Sequence, residues 1–224
     1  VAFCFKDSYV PKETTDLSLV QGIVNIRKAF FSKDLRYVFS CVLFACVGWS
    51  FYWEFTPVTW ILEYGFDSTA IGRCYAYGAI VYALSCGVLI RPIVSRFSNQ
   101  HVLFYALIGC SISIGMLLVH SDVFWLWVYI PLQQFGIALF WPTAAATVSN
   151  ASSEDQQGEA LGIFHSVESL AFAISPLIAG PLLGLGAAMP IVIGSSTILL
   201  GAGILGFSLG FSRDAQIMAR TRLS

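Results

Sequence analysis

Apolar residues run along this chain in six long stretches, near residues 36–62, 70–91, 101–119, 123–148, 159–184 and 187–211, separated by short polar segments. Crossing the hydrocarbon core of a bilayer takes about 20 residues of α-helix, and each stretch meets or nearly meets that length. None alternates apolar and polar positions with a period of two, as a barrel strand does. Backbone polar groups in hydrocarbon must be satisfied within a helix or a closed barrel, so an unbroken run such as Ile191 to Phe211 predicts a helix. The pattern therefore predicts an all-α membrane protein with six transmembrane helices.

Composition narrows the class further. Of the 224 residues 57% are hydrophobic and 11% charged, with a mean hydropathy of +0.75. A soluble domain could not cover its surface with so few polar groups. Net charge is −1, but the placement of the basic residues carries more information. If the segment before the first span is cytoplasmic, Lys6, Lys12, Arg27, Lys28, Lys33, Arg36, Arg91, Arg96, Arg213, Arg220 and Arg222 all fall on that side, and only Arg73 falls outside. This positive-inside asymmetry predicts a multi-pass protein with both ends cytoplasmic, and the expected location is the plasma membrane, the inner membrane of a bacterium.

Ahead of the first span, Val1 to Phe5 reads as the tail of an earlier helix, so the chain is expected to be part of a longer one. Leu19, Ile23, Ile26 and Phe30 recur at helical spacing with Lys28 opposite, which predicts an amphipathic helix on the inner membrane surface. The expected organisation is residues 1–35 as the end of a preceding span plus a linker, 36–211 as the six-span bundle, and 212–224 as a cytoplasmic tail. The six cysteines form no CxxC pair and no metal-ligand spacing, and they are read as small buried hydrophobes.

A shift of 88 residues lays the first span on the fourth, the second on the fifth and the third on the sixth. Gly48 then meets Gly136 and Trp53 meets Trp141. Three is odd, so the two sets run in opposite directions through the membrane. Two inverted three-helix repeats are a transporter design, with the substrate site near the midplane where the repeats meet.

Several motifs in this frame resemble a known family. Gly136-Ile-Ala-Leu-Phe-Trp-Pro142, then Gln157-Gly158, Gly162 and Ser175-Pro176-Leu-Ile-Ala-Gly180, are similar to the C-terminal half of a major facilitator superfamily transporter, and within it to drug:proton antiporters of the tetracycline-resistance type. Phe55-Thr56-Pro57, Tyr64 to Ser68 and Ile71-Gly72 resemble the seventh span, its outer loop and the start of the eighth. The likeness runs from about residue 20 onward. It implies half of a twelve-helix bundle, a partner N-terminal half in the same or a separate chain, a small-molecule substrate, protons as coupling ion and no cofactor. In the loop after the second span the family's gating motif is degenerate. Arg96 remains, without the aspartate before it or the basic pair at its end, so Arg91 and Arg96 are expected either as gating-loop residues or as positive-inside anchors.

Polar residues inside the spans carry the functional reading, because an ionisable group in a bilayer costs several kcal/mol unless it faces protein or water. Glu168 lies about ten residues from the inner end of the fifth span, roughly 15 Å along it and near the midplane. His165 sits one turn closer to the cytoplasm on the same face. The pair is expected to be protonatable and to face a central cavity, the structural alternative being that the two merely satisfy each other between packed helices. Gln133, Gln134 and Tyr82 reach comparable depths, and with Trp53 and Glu54 they are expected to form the substrate cavity. Glu54 lies farther out, where it contributes to an outer vestibule or pairs with Arg73.

Other six-span classes lack their residues here. There is no GxSG of a rhomboid-type protease, no Asn-Pro-Ala pair, no arginine ladder and no GxxxxGK[ST] phosphate loop, so no enzymatic activity is expected. The basic residues hug one membrane edge, which does not suit a nucleic acid. The expected function is secondary active transport, proton-coupled efflux of small organic molecules. A proton-coupled nutrient or metabolite uptake symporter, or a non-transporting sensor or scaffold on the same fold, are the alternatives.

Overall fold

The computed structural model describes residues 35–119, 122–153, 156–184, 186 and 188–221. The expected amphipathic helix lies outside the described residues. Among the described residues six helices are long and apolar enough to cross a membrane, and the ends of their apolar spans, the last of them Met189–Ser208, fall within three residues of the stretches read from sequence. They are α1 (Arg36–Tyr64), α2 (Ser68–Val94), α3 (Asn99–Gly115, continued by a 3-10 turn Met116–Leu118), α4 (Leu126–Asn150, entered through a 3-10 turn Val123–Trp125), α5 (Gln157–Leu183) and α6 (Met189–Thr221). Within α2 the residues Ser85–Leu89 form a π turn.

Turn chemistry explains how α1 hands over to α2 in three residues. Gly65 takes the left-handed conformation at φ 64°, and its N–H donates to Ile61 O at 3.1 Å. This is a C-cap that glycine adopts without Cβ strain. Asp67 then caps α2 by accepting from Ala70 N at 2.8 Å.

The packing follows the expected repeat. Helix α1 packs on α6 and α5, α4 packs on α3 and α2, and α3 packs on α6 where the two repeats join. Exchanging each helix for the one three places along converts the first set into the second. Single residues obey the same exchange. A Cβ on Gly48 would stand 2.5 Å from Gly194 O and 2.7 Å from Ile198 Cγ1, while one on Gly136 would stand 3.1 Å from Ala106 O and press on Cys110 Sγ. Gly194 and Ile198 follow Ala106 and Cys110 by the same 88 residues that separate Gly136 from Gly48. Glycine at both sites lets paired backbones approach closely, which is how membrane helices gain packing energy when lipid is as apolar as leucine. Across the join, Ser111 Oγ donates to Ser195 O at 2.8 Å.

The fold is thus two inverted three-helix repeats, one half of a twelve-helix bundle. Helices α2 and α5 are the least covered, with 11% and 22% of their apolar windows buried. They too are related by the exchange, and they leave open faces on the bundle.

Candidate substrate cavity and proton site

A cavity of about 330 Å³ opens at mid-depth between helices of both repeats. Trp49 and Trp53 come from α1, Ala79 and Tyr82 from α2, Gln134, Ile137 and Trp141 from α4, and Phe172 from α5. Tyr82 stands about 21 Å along α2 from its N-terminal end, at 1.5 Å per residue. Trp53 is held in place by its neighbour: its ring lies 4.8 Å from that of Tyr75, and Tyr75 Oη donates to Trp53 O at 3.0 Å. Gly78 makes room for Gln134, whose Nε2 would stand 3.0 Å from a Cβ there. Of the residues expected in the cavity, Trp53, Tyr82 and Gln134 line it together.

Gln133 is placed differently. It is 2% exposed and absent from the lining, turned toward Tyr52, with its Nε2 lacking a well-formed hydrogen bond. Adjacent helix positions point about 100° apart, so one glutamine reaches the cavity and the other enters the packed core.

One turn of α5 before Phe172, Glu168 Oε2 lies 3.0 Å from His165 Nδ1. Ser169 Oγ donates to His165 O at 2.8 Å, so the face shared by His165, Glu168 and Ser169 forms as the spacing predicts. The glutamate side chain is 28% exposed and the histidine 69%. Neither residue lines the cavity itself. A chain of edge-on rings links the two features, Trp141 to Phe164 at 6.2 Å and Phe164 to His165 at 5.2 Å. A carboxylate this deep in a span costs about 3 kcal/mol or more against lipid, so the open face of α5 demands cover by protein or water.

Glu54 does not pair with Arg73. Its Oε1 accepts from Ser50 Oγ at 3.1 Å, and among the described residues the one ion pair is His165–Glu168. The reason is local: Ser50 sits one turn below on the same helix, while Arg73 would have to be reached from another span. Glu54 is exposed but does not line the cavity. Arg91 and Arg96 are exposed at the far end of α2, remote from it.

Sequence reasoning missed Trp141, Ile137, Ala79 and Phe172 as lining residues. The repeat held the signal for the first two. Trp141 is the counterpart of Trp53 and Ile137 of Trp49, both 88 residues on, so a cavity on the repeat axis calls on both members of each pair.

Six apolar spans in two inverted repeats, lining one mid-depth cavity from both, define half of a membrane transporter scaffold. The chain belongs to the major facilitator superfamily, whose pattern, described as Major Facilitator Superfamily, matches residues 38–219. No curated protein sequence matches it closely enough to count as a relative. Among solved structures it is similar to one described as the human organic anion transporter MFSD10 (TETRAN), with a TM-score of 0.72 at 19% identity, over 82% of this chain and 46% of that one. The chain therefore spans about half the length of that transporter.

Proposed function

We propose that this chain is the C-terminal half of a proton-coupled secondary transporter of the drug:proton antiporter kind, exporting small amphipathic organic molecules. The observation that carries the reading is the Glu168–His165 pair, held at 3.0 Å near the middle of a span and on an open face. Such a pair withstands the membrane only where protein or water covers it, and a protonatable group on a wet path is what proton coupling needs. In this reading a partner N-terminal half closes the cavity against α2 and α5, and both ends of the chain lie in the cytoplasm of a plasma membrane. Trp53, Tyr82 and Gln134 contact the cargo.

The lining also bears on cargo class. Three tryptophans, one tyrosine, one phenylalanine and a single amide, with no cationic side chain among the lining residues, suit a neutral or cationic amphiphile, which aromatic faces attract. The organic anion of the structural neighbour's description fits this half less well.

The test is flux of an amphipathic dye by the complete protein in proteoliposomes under an imposed pH gradient. Accumulation that collapses on adding a protonophore is expected. Flux indifferent to the gradient would contradict proton coupling, and no flux at all would favour a non-transporting role.

A further inference from the structure

A second hollow is larger than the central cavity. A groove of about 780 Å³ runs along α3 and α4 from Phe97 and His101 at one end to Met116 at the other. From His101 to Met116 it covers about 22 Å of helix. Apart from His101 and Ser113 its walls are apolar or aromatic.

Its direction is fixed by α4. The positions of α4 facing the central cavity are Gln134, Ile137 and Trp141, whereas Leu132, Phe135 and Leu139 line the groove. At about 100° per residue these sets lie on opposite sides of one helix. The groove therefore looks away from the cavity, and so away from whatever closes the cavity, toward lipid.

The two ends of the groove differ in charge. Ile93 and Phe97 line one mouth, which places the turn carrying the exposed Arg91 and Arg96 beside it. Residues 68–121 contain no aspartate or glutamate to neutralise these arginines. Helix α3 starts at the same mouth, and Ser98 does not cap it: its hydroxyl bonds His101 Nδ1 at 2.6 Å instead, leaving the first amide N–H groups of a 17-residue helix without a side-chain partner. Amides at a helix start, beside two guanidinium groups, favour a phosphate.

We propose that this groove binds an anionic phospholipid of the leaflet at the Arg91–Arg96 end, one acyl chain lying along α3 and the phosphate at that mouth. Charge complementarity selects the headgroup, and the apolar walls hold the chain. The site rests on no assignment of cargo or coupling.

The test uses the full chain in nanodiscs containing equal parts of phosphatidylglycerol and phosphatidylcholine. After mild detergent extraction, retained lipids are counted by native mass spectrometry. Phosphatidylglycerol should be kept over phosphatidylcholine by roughly tenfold or more, because two arginines favour a net negative headgroup over one whose phosphate is already neutralised by its own choline ammonium. Gly109 lines the groove and has open space where a Cβ would be, so Gly109→Phe should fill the groove and release the lipid. The double variant Arg91→Gln with Arg96→Gln leaves the groove open and should equalise the two lipids, and it serves if Gly109→Phe folds poorly. Equal retention of both lipids by the unaltered protein, or undiminished retention in folded Gly109→Phe, would overturn the proposal. So would crosslinking that shows protein rather than lipid against Gly109. Bound lipid is counted without reference to flux, so failure here leaves the transport reading standing.

Discussion

Trp53 on α1 and Trp141 on α4, 88 residues apart in sequence, line the same cavity from equivalent places in the two inverted repeats. The cavity therefore sits where the two repeats meet. Each ring offers a large apolar face to an amphipathic cargo. Removing either, in Trp53→Ala or Trp141→Ala, is expected to raise the KM for cargo about tenfold, the equivalent of about 1.4 kcal/mol of binding. Concentration-dependent flux measures this, and an unchanged KM in both variants would place the cargo elsewhere.

The join between α1 and α6 predicts a sharp contrast among glycines. Gly48→Ala drives a methyl against the backbone of Gly194, 2.5 Å from its carbonyl oxygen, and should destabilise the bundle by about 1–3 kcal/mol. Gly72 in α2 has nothing within 4 Å of a Cβ, so Gly72→Ala should be neutral, or stabilising by up to about 1 kcal/mol through helix propensity. Thermal unfolding in detergent followed by fluorescence compares the two. Equal melting temperatures would refute the close approach.

Water access separates Tyr82 from Gln133. Tyr82 lines the cavity and Gln133 is sealed among α1, α3 and α4, where Cys110 Sγ reaches its carbonyl oxygen at 3.6 Å. In a background whose native cysteines are replaced, Tyr82→Cys should react with a membrane-impermeant thiol reagent and Gln133→Cys should not. A gel-shift assay with and without cargo reads the result, with cargo protecting Tyr82→Cys. Labelling of Gln133→Cys would mean that the helix phase is wrong.

His165 is expected to act on Glu168 by position. His165→Leu removes the partner at 3.0 Å and should lower gradient-driven flux about tenfold without changing the KM for cargo. His165→Asn, which keeps a side-chain donor near the same place, should recover most of the loss. A purely structural role for the histidine would show instead as reduced thermal stability in His165→Leu with normal coupling.

Which parts of this were readable in the sequence follows from how each feature is encoded. Span number and limits rest on length and hydropathy alone, and turn residues such as Gly65 and Asp67 mark the ends by their own chemistry. The His165–Glu168 contact is local, three residues apart on one helix, so spacing suffices. Contacts between helices need the rotation of each about its axis, and long uniformly apolar spans hold little amphipathic contrast from which to read it. That is why Gln133 and Gln134 looked alike and why Glu54 could be imagined against Arg73. The phase was nevertheless present in the repeat: Gln134, Ile137 and Trp141 share the face that Trp141 inherits as the counterpart of Trp53. The π turn at Ser85–Leu89 has no such marker, and the groove along α3 and α4 depends on several elements packing together.

Proton coupling to cargo movement is proposed to run through the Glu168 carboxyl. It is tested most directly by comparing uphill flux driven by a pH gradient with cargo-for-cargo exchange at equal pH, in the intact protein and in Glu168→Gln. A carboxyl that carries the proton predicts that Glu168→Gln loses the driven flux and keeps exchange. Driven accumulation at the level of the unaltered protein would show that the proton travels by another route.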